Sequence, residues 1–210
     1  MRCIAVYGAS GFGREVMPLV RGQYGGEGTE FVFVDDGAAD GKSVLSFDEF
    51  LRRPQASRQI VIAIANSAVR EKLAARCVKA GIESLDVKAA NASILDDVVL
   101  GEGSILCGFT QMTSNIRIGR YFHANIYSYV AHDCVIGDFV TFAPGVKCNG
   151  NIHIDDHAYV GTGAILKQGT PDKPLRIGRG AVIGMGAVVT KDVAPGETVV
   201  GNPARPMPPR

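Results

Sequence analysis

From Ile94 to Leu166 every sixth residue is hydrophobic, a period that neither an α-helix nor an ordinary strand produces. The series runs Ile94, Leu100, Leu106, Met112, Ile118, Ala124, Val130, Ile136, Phe142, Cys148, Ile154, Val160 and Leu166. Against a background of 46% hydrophobic residues, thirteen successive hits in the best of six phases arise by chance on the order of once in four thousand sequences. Two further columns keep the same step. The residue after the anchor is repeatedly small or turn-forming (Gly101, Gly119, Asn125, Gly137, Asn149, Asp155, Gly161), and four places after it stand Ser104, Thr110, Ser128, Val140, Ala158 and Ala164. The phase slips once, by eleven residues from Leu166 to Ile177, which reads as six plus a five-residue insertion at Asp172 to Arg176; Ile183 and Val189 then resume it.

A unit of six with one aliphatic and one small inward residue is the hexapeptide repeat, which resembles the left-handed parallel β-helix. Three units make one triangular coil of 18 residues, so 94–193 supplies about five coils. The left-handed winding comes with the resemblance, since ordinary crossovers are right-handed. Composition agrees with such a prism: Trp is absent and only 7% of residues are aromatic, so the core is aliphatic. The 26 Gly and 10 Pro accompany too much hydrophobic material for disorder, and they lack the strict triplet of collagen.

The first ninety residues read differently. Cys3 to Tyr7 is a strand, followed by Gly8-Ala9-Ser10-Gly11-Phe12-Gly13 and a helix expected from about Arg14 to Val20. Phe31 to Val34 forms a second strand ending in Asp35-Asp36, Ser46 caps a short helix through Leu51, and Ile60 to Ala65 is a third strand. Ser67 then caps a helix with Val69, Leu73 and Cys77 in its apolar stripe, stopped by Gly81. The fold class expected is therefore α/β plus β: a small Rossmann-like parallel α/β domain over 1–90, then a left-handed parallel β-helix with a C-terminal tail over 91–210.

A formal charge of +1 with no cationic block argues against nucleic acid as a partner. No apolar run reaches the 18 or so residues of a membrane span, and a Gly-rich turn cuts off the first apolar segment, which argues against a signal peptide or a membrane partner. The five cysteines contain no C-x-x-C pair, so reduced thiols in the cytoplasm are expected rather than disulfides or zinc.

The hexads, the Gly8 to Gly13 turn, Asp35-Asp36, the run Ile62-Ala63-Ile64-Ala65-Asn66, the segment Ala131-His132-Asp133-Cys134-Val135-Ile136-Gly137-Asp138-Phe139 and the Val200-Gly201-Asn202-Pro203-Ala204 tail together resemble one family. It is the bacterial nucleotide-amino-sugar N-acetyltransferases, with the similar sialic-acid O-acetyltransferase-like proteins. The resemblance implies a cytoplasmic homotrimer in surface-glycan or lipopolysaccharide synthesis. Acetyl-CoA would lie along the β-helix between subunits, and the N-terminal domain would hold a UDP-, dTDP- or GDP-linked 4-amino-deoxy sugar.

Acetyl transfer to an amine needs a base near neutral pH and a donor to the thioester oxygen. By resemblance His132 is that base and Asp133, where the family often has Glu, orients it and raises its basicity. The family places Thr141, Gly150, Thr162 and Met185 along the CoA groove, with amides at or near Gly150 facing the thioester; some relatives have a second His at the position of Thr141. Lys167, Lys173, Arg176 and Arg179 offer charge for CoA phosphates. Gly8, Gly11 and Gly13 form a strand-to-helix turn whose amides suit a phosphate. Asp35 follows Gly13 by 22 residues, near the spacing of a ribose-binding carboxylate. Ser10, Gly11, Phe12, Asp35 and Asp36 are the family's nucleotide residues, with Phe12 where relatives often have His; Asn66 adds a further polar contact.

Direct amine attack is expected, since no Cys or Ser pairs with the base in a triad pattern. The alternatives are O-acetylation of a sugar hydroxyl and a non-catalytic sugar-nucleotide binding protein. An NAD oxidoreductase fits poorly, because ninety residues give half a dinucleotide fold. His153 and His157 invite a metal, as in β-helical carbonic anhydrases, but their spacing differs from those ligands, so no metal is expected and both are read as solvent-facing. His123 is given no role. Cys134 and Cys148 fall on inward columns and read as core.

Overall fold

A computed structural model describes residues 2–54 and 57–208. The chain divides into two compact units between Ala89 and Ala90.

In the first unit β1 (Arg2–Tyr7), β2 (Thr29–Val34), β3 (Val44–Leu45), β4 (Ser57–Ile62) and β5 (Glu83–Ser84) form a parallel sheet in the order β3-β2-β1-β4-β5. Three helices connect them: α1 (Gly11–Tyr24), α2 (Phe47–Arg52) and α3 (Ser67–Lys79). Order reverses between β1 and β4, the switch point at whose carboxyl end ligands collect in such sheets. Residues Cys3 to Val6 are fully buried, as an apolar central strand requires.

Several boundaries move from the sequence expectation. α1 begins at Gly11 rather than Arg14, because Gly13 packs directly onto the turn: a Cβ there would stand 1.7 Å from Gly8 O. β4 ends at Ile62 rather than Ala65, where the chain passes against Gly8. Ser46 caps α2 through a reciprocal box with Glu49, as its hydroxyl accepts from Glu49 N and the Glu49 carboxylate accepts from Ser46 N. For α3 the cap is Asn66, not Ser67, with Oδ1 accepting from Val69 N at 3.0 Å. Its buried stripe is Arg70, Ala74 and Cys77, and Val69 is 42% exposed. A fully buried arginine displaces valine from the stripe because its guanidinium donates to Ile64 O (2.7 Å) and Ala65 O (3.2 Å) beyond β4.

The second unit is the left-handed parallel β-helix. Its first face carries Ser93–Ile94, Gln111–Met112, Tyr129–Val130, Lys147–Cys148, Ile165–Leu166 and Val188–Val189. The second carries Val98–Leu100, Ile116–Ile118, Val135–Ile136, Ile152–Ile154 and Leu175–Ile177. The third carries Ile105–Leu106, His123–Ala124, Thr141–Phe142, Tyr159–Val160, Val182–Ile183 and Thr198–Val200, closed by antiparallel Arg205–Pro206. All neighbours on the first two faces pair in parallel with an offset of 18 residues until the insertion, for example Val130 opposite Cys148.

Every hexad anchor from Leu106 to Leu166 is buried, and the residues four places on, including Cys134, Val140 and Ala164, fill the same core. Burial of each larger aliphatic contributes about 1.5–3 kcal/mol, so the repeated column itself supplies the stabilisation. The glycines after the anchors serve close stacking: a Cβ on Gly119 would stand 2.4 Å from the Asp138 carboxylate on the next coil. Left-handed backbone falls instead at the third corner position, at Asp97, Asn115, Asp133 and Asn151 on one corner and Tyr121, Phe139 and His157 on the next. Rings at the latter stack at 5.2 and 5.3 Å, so His157 lies on Phe139 rather than standing free in solvent.

The five-residue insertion is Thr170 to Pro174, two positions earlier than expected. Gly169 N donates to Gly150 O and Leu175 N to Asn151 O, so the ladder closes on either side of it, and Arg176 belongs to a strand. The insertion is a turn closed by Thr170 N to Lys173 O (3.0 Å) and Lys173 N to Thr170 O (3.1 Å).

Candidate functional site

At the corner between the first and second faces, Asp133 takes a left-handed conformation (φ 57°) directly after His132. The turn brings the two side chains together, with His132 Nδ1 2.7 Å from Asp133 Oδ2. The carboxylate can accept only a proton-bearing nitrogen, so Nδ1 carries the hydrogen in the neutral ring and the lone pair stays on Nε2, the form a base needs. The other oxygen, Oδ1, accepts from Asn115 Nδ2 at 2.6 Å. These bonds, that from His132 first, hold the Asp133 carboxyl below the ordinary aspartate range.

The imidazole lies against Gly150, one coil on. A Cβ at 150 would stand 2.5 Å from Cε1 and Nε2 and 2.9 Å from Nδ1. His132 O accepts from Asn151 N at 3.0 Å, so the two corners are also tied through the backbone. Beside them Tyr129 hydroxyl donates to Asn149 Oδ1 (2.8 Å) and Asn149 Nδ2 to Leu166 O (2.7 Å), fixing the residue before Gly150. Cys134 and Cys148 are fully buried in the core of the coil, where the contact from Cys134, together with burial, pushes the Cys148 thiol up and the same contact lowers Cys134.

The other expected CoA residues lie elsewhere in the coil. Thr162 and Met185 share the corner between the third and first faces on successive coils, with Gly186 N donating to Thr162 O at 2.8 Å; Met185 is 81% exposed. Thr141 is buried on a strand of the third face. A single chain thus joins Gly150, but not Thr162 and Met185, to the His132 corner. Next to the insertion lies a cavity of about 580 Å³ lined by Lys167, Thr170, Lys173, Thr190 and Lys191 among others. Arg179 is instead paired with Asp156 at 2.6 Å, and Arg176 does not line it.

In the α/β unit the expected nucleotide residues gather at the carboxyl ends of β1, β2 and β4. Gly8 (φ 114°) has Ala63 O and Ile64 Cδ1 so close that a Cβ would meet each at 2.8 Å. Asp35 braces the turn, accepting from Ala9 N (3.0 Å) and Gly37 N (3.1 Å). Ser10 is the N-cap of α1 but its hydroxyl makes no capping bond, and the first turn carries no acidic residue. Exposed Ser10 and Gly11 thus stand at the positive end of a 14-residue helix, with Phe12 half-buried beside them.

Asp36 is committed within the domain. Oδ1 accepts from Phe47 N (2.8 Å) and Oδ2 from Tyr7 hydroxyl (2.6 Å) and Arg76 (2.5 Å), while Arg76 lies 4.2 Å over the Phe47 ring. Burial pushes the Asp36 carboxyl up, and these bonds outweigh it and hold it below the ordinary range. Asn66 spends Oδ1 on its cap, which leaves the amide group as its outward donor.

Asn115 and Arg70 carry no sequence signature of their own. The signal for Asn115 is its distance of 18 residues, one full coil, from Asp133. Among the described residues no cluster of His, Cys, Asp or Glu could hold a metal ion, and no helix is long and apolar enough to cross a membrane.

The PglD N-terminal domain family matches residues 3–77. The chain is 48% identical to the GDP-perosamine N-acetyltransferase of Escherichia coli O157:H7, over 99% of this chain and 97% of that protein. The structure of WeeI from Acinetobacter baumannii AYE superposes with a TM-score of 0.95 at 62% identity, covering 99% of this chain and 100% of the other. The acetyltransferase domain of PglB from Neisseria gonorrhoeae FA1090 in complex with acetyl coenzyme A superposes at 0.85 with 29% identity, over 98% and 99% of the two chains. The chain belongs to the nucleotide-amino-sugar N-acetyltransferases of the hexapeptide-repeat family. It is an acetyl-CoA-dependent acyltransferase.

Proposed function

We propose that the enzyme acetylates the 4-amino group of a GDP-linked amino sugar such as GDP-perosamine, in the cytoplasm and for glycan synthesis. The observation that carries the chemistry is the His132–Asp133 pair seated against Gly150. The similarity to a GDP-perosamine enzyme along nearly the whole of both chains favours GDP over UDP and dTDP.

In this reading the amine attacks the thioester carbonyl of acetyl-CoA. Its proton passes to His132 Nε2, and the carbonyl oxygen, now an oxyanion, is held by a backbone N–H at or next to Gly150. Collapse forms the amide and expels the CoA thiolate, which recovers a proton from the His132 imidazolium. Asp133 stabilises that imidazolium and holds the ring's tautomer. The Gly8 to Gly13 turn, with Asp35 and Asn66 around it, receives the nucleotide; Asp36 supports the pocket from behind.

The separation of Thr162 and Met185 from the His132 corner supports a homotrimer in which one chain supplies the base and its neighbour completes the CoA groove. Lys167, Lys173 and Lys191 at the cavity suit CoA phosphates. A thiol-release assay with acetyl-CoA across UDP-, dTDP- and GDP-linked 4-amino sugars tests the proposal. Preference for the GDP sugar is expected; release of thiol only with a sugar hydroxyl as acceptor would replace it with O-acetylation.

A further inference from the structure

We propose that Asn115 is a positioning residue for acetyl transfer, holding the Asp133 carboxylate in the rotamer that faces His132. This rests on the reading of His132 as the base.

Asn115 and Asp133 occupy equivalent places on successive coils, both left-handed at φ 53° and 57°. The backbones are already tied there: Asp133 N donates to Ser114 O at 3.1 Å, and Asn115 N to Asp96 O at 3.2 Å. What the backbone leaves free is the Asp133 side chain, which is 43% exposed and would otherwise sample several rotamers in water. Asn115 Nδ2 at 2.6 Å from Oδ1 removes that freedom and leaves Oδ2 aimed at His132 Nδ1. The amide must present nitrogen here, because its oxygen facing a carboxylate would be repulsive. The result is a linear relay of Asn115, Asp133 and His132 running across one corner. Asp97, one coil before Asn115, is instead engaged by Arg117 at 2.9 Å, so it does not compete with Asp133 for the Asn115 amide.

The left-handed backbone decides which variant is informative. Ala at 115 adds strain to the loss of the donor, whereas Gly removes the side chain and accepts the φ, so Asn115→Gly isolates the contact. Asn115→Asp keeps shape and backbone tolerance but sets a second carboxylate against Asp133.

Steady-state kinetics of Asn115→Gly are expected to show kcat lowered about tenfold with KM for acetyl-CoA and for the sugar nucleotide within about twofold, because the contact orients the base and touches neither substrate. Asn115→Asp should lose more. In an Asp133→Ala background Asn115→Gly should have no further effect. Independently of turnover, the 15N spectrum of the His132 ring should show one Nδ1–H tautomer in the wild type and a mixture in Asn115→Gly. Unchanged kcat in Asn115→Gly, the same loss with or without Asp133, or an unaltered imidazole spectrum would each overturn the proposal. A wild-type enzyme that acetylates no amino sugar overturns the functional reading instead, and the imidazole spectrum still decides the role of Asn115.

Discussion

The His132 imidazole rests on the Cα of Gly150, where a β-carbon would stand 2.5 Å from Cε1 and Nε2. Because Gly150 has no left-handed φ, Ala at 150 meets no backbone strain, and because His132 is 45% exposed the ring can swing outward to make room. Gly150→Ala should therefore fold normally and lose about a hundredfold or more in kcat. Thermal melts and thiol-release rates on the same preparation check this; a large drop in melting temperature would show that the glycine serves the coil instead.

Arg70 sits fully buried in the stripe of α3, and burial pushes its pKa down to about 9, so it is still charged at neutral pH. Replacing it with Met leaves the carbonyls of Ile64 and Ala65 without this donor, at a cost of about 2–4 kcal/mol. Denaturant unfolding of Arg70→Met measures that loss, which should appear in the transition of the N-terminal unit.

Asp36 makes part of that unit's stability depend on acid. Its folded pKa is depressed, so its contribution is complete above the ordinary aspartate value of about 3.9 and is lost as pH falls through the folded value. The pair with Arg76 is partly exposed and correspondingly screened, so Asp36→Asn should lower the melting temperature at pH 7 by about 2–4 °C. That gap should start to narrow once the pH falls below about 4, as melts of both proteins between pH 3 and 7 would reveal.

The inter-subunit groove can be tested by complementation. Chains carrying His132→Ala and chains carrying Met185→Arg should each be inactive alone. Coexpressed, they should recover activity in about a quarter of sites, where an intact base meets an intact neighbouring groove. No recovery would mean that each chain holds a complete site.

Much of this architecture is legible in the sequence because the coil repeats every 18 residues, so the inward columns at Leu106, Ala124 and Phe142 recur at fixed phase. His132 and Asp133 are legible for a simpler reason, being adjacent. What escapes is whatever depends on neighbouring coils. The Asn115 contact spans 18 residues, and the glycines directly after the anchors, such as Gly119, are close-stacking positions, while the left-handed corner sites hold Asp, Asn and aromatic residues as well as other glycines such as Gly145 and Gly163. The buried stripe of α3 misleads because Arg70 satisfies carbonyls beyond β4, which no hydrophobic period reports. Thr162 and Met185 sit at equivalent hexad positions on successive coils, yet linear spacing says nothing about which corner of the prism faces a second chain.

Whether His132 removes the proton from the attacking amine is decided by thiol release from His132→Ala at saturating acetyl-CoA and GDP-linked 4-amino sugar: kcat should fall by about a thousandfold with KM little changed. Turnover near that of the wild type would contradict that role.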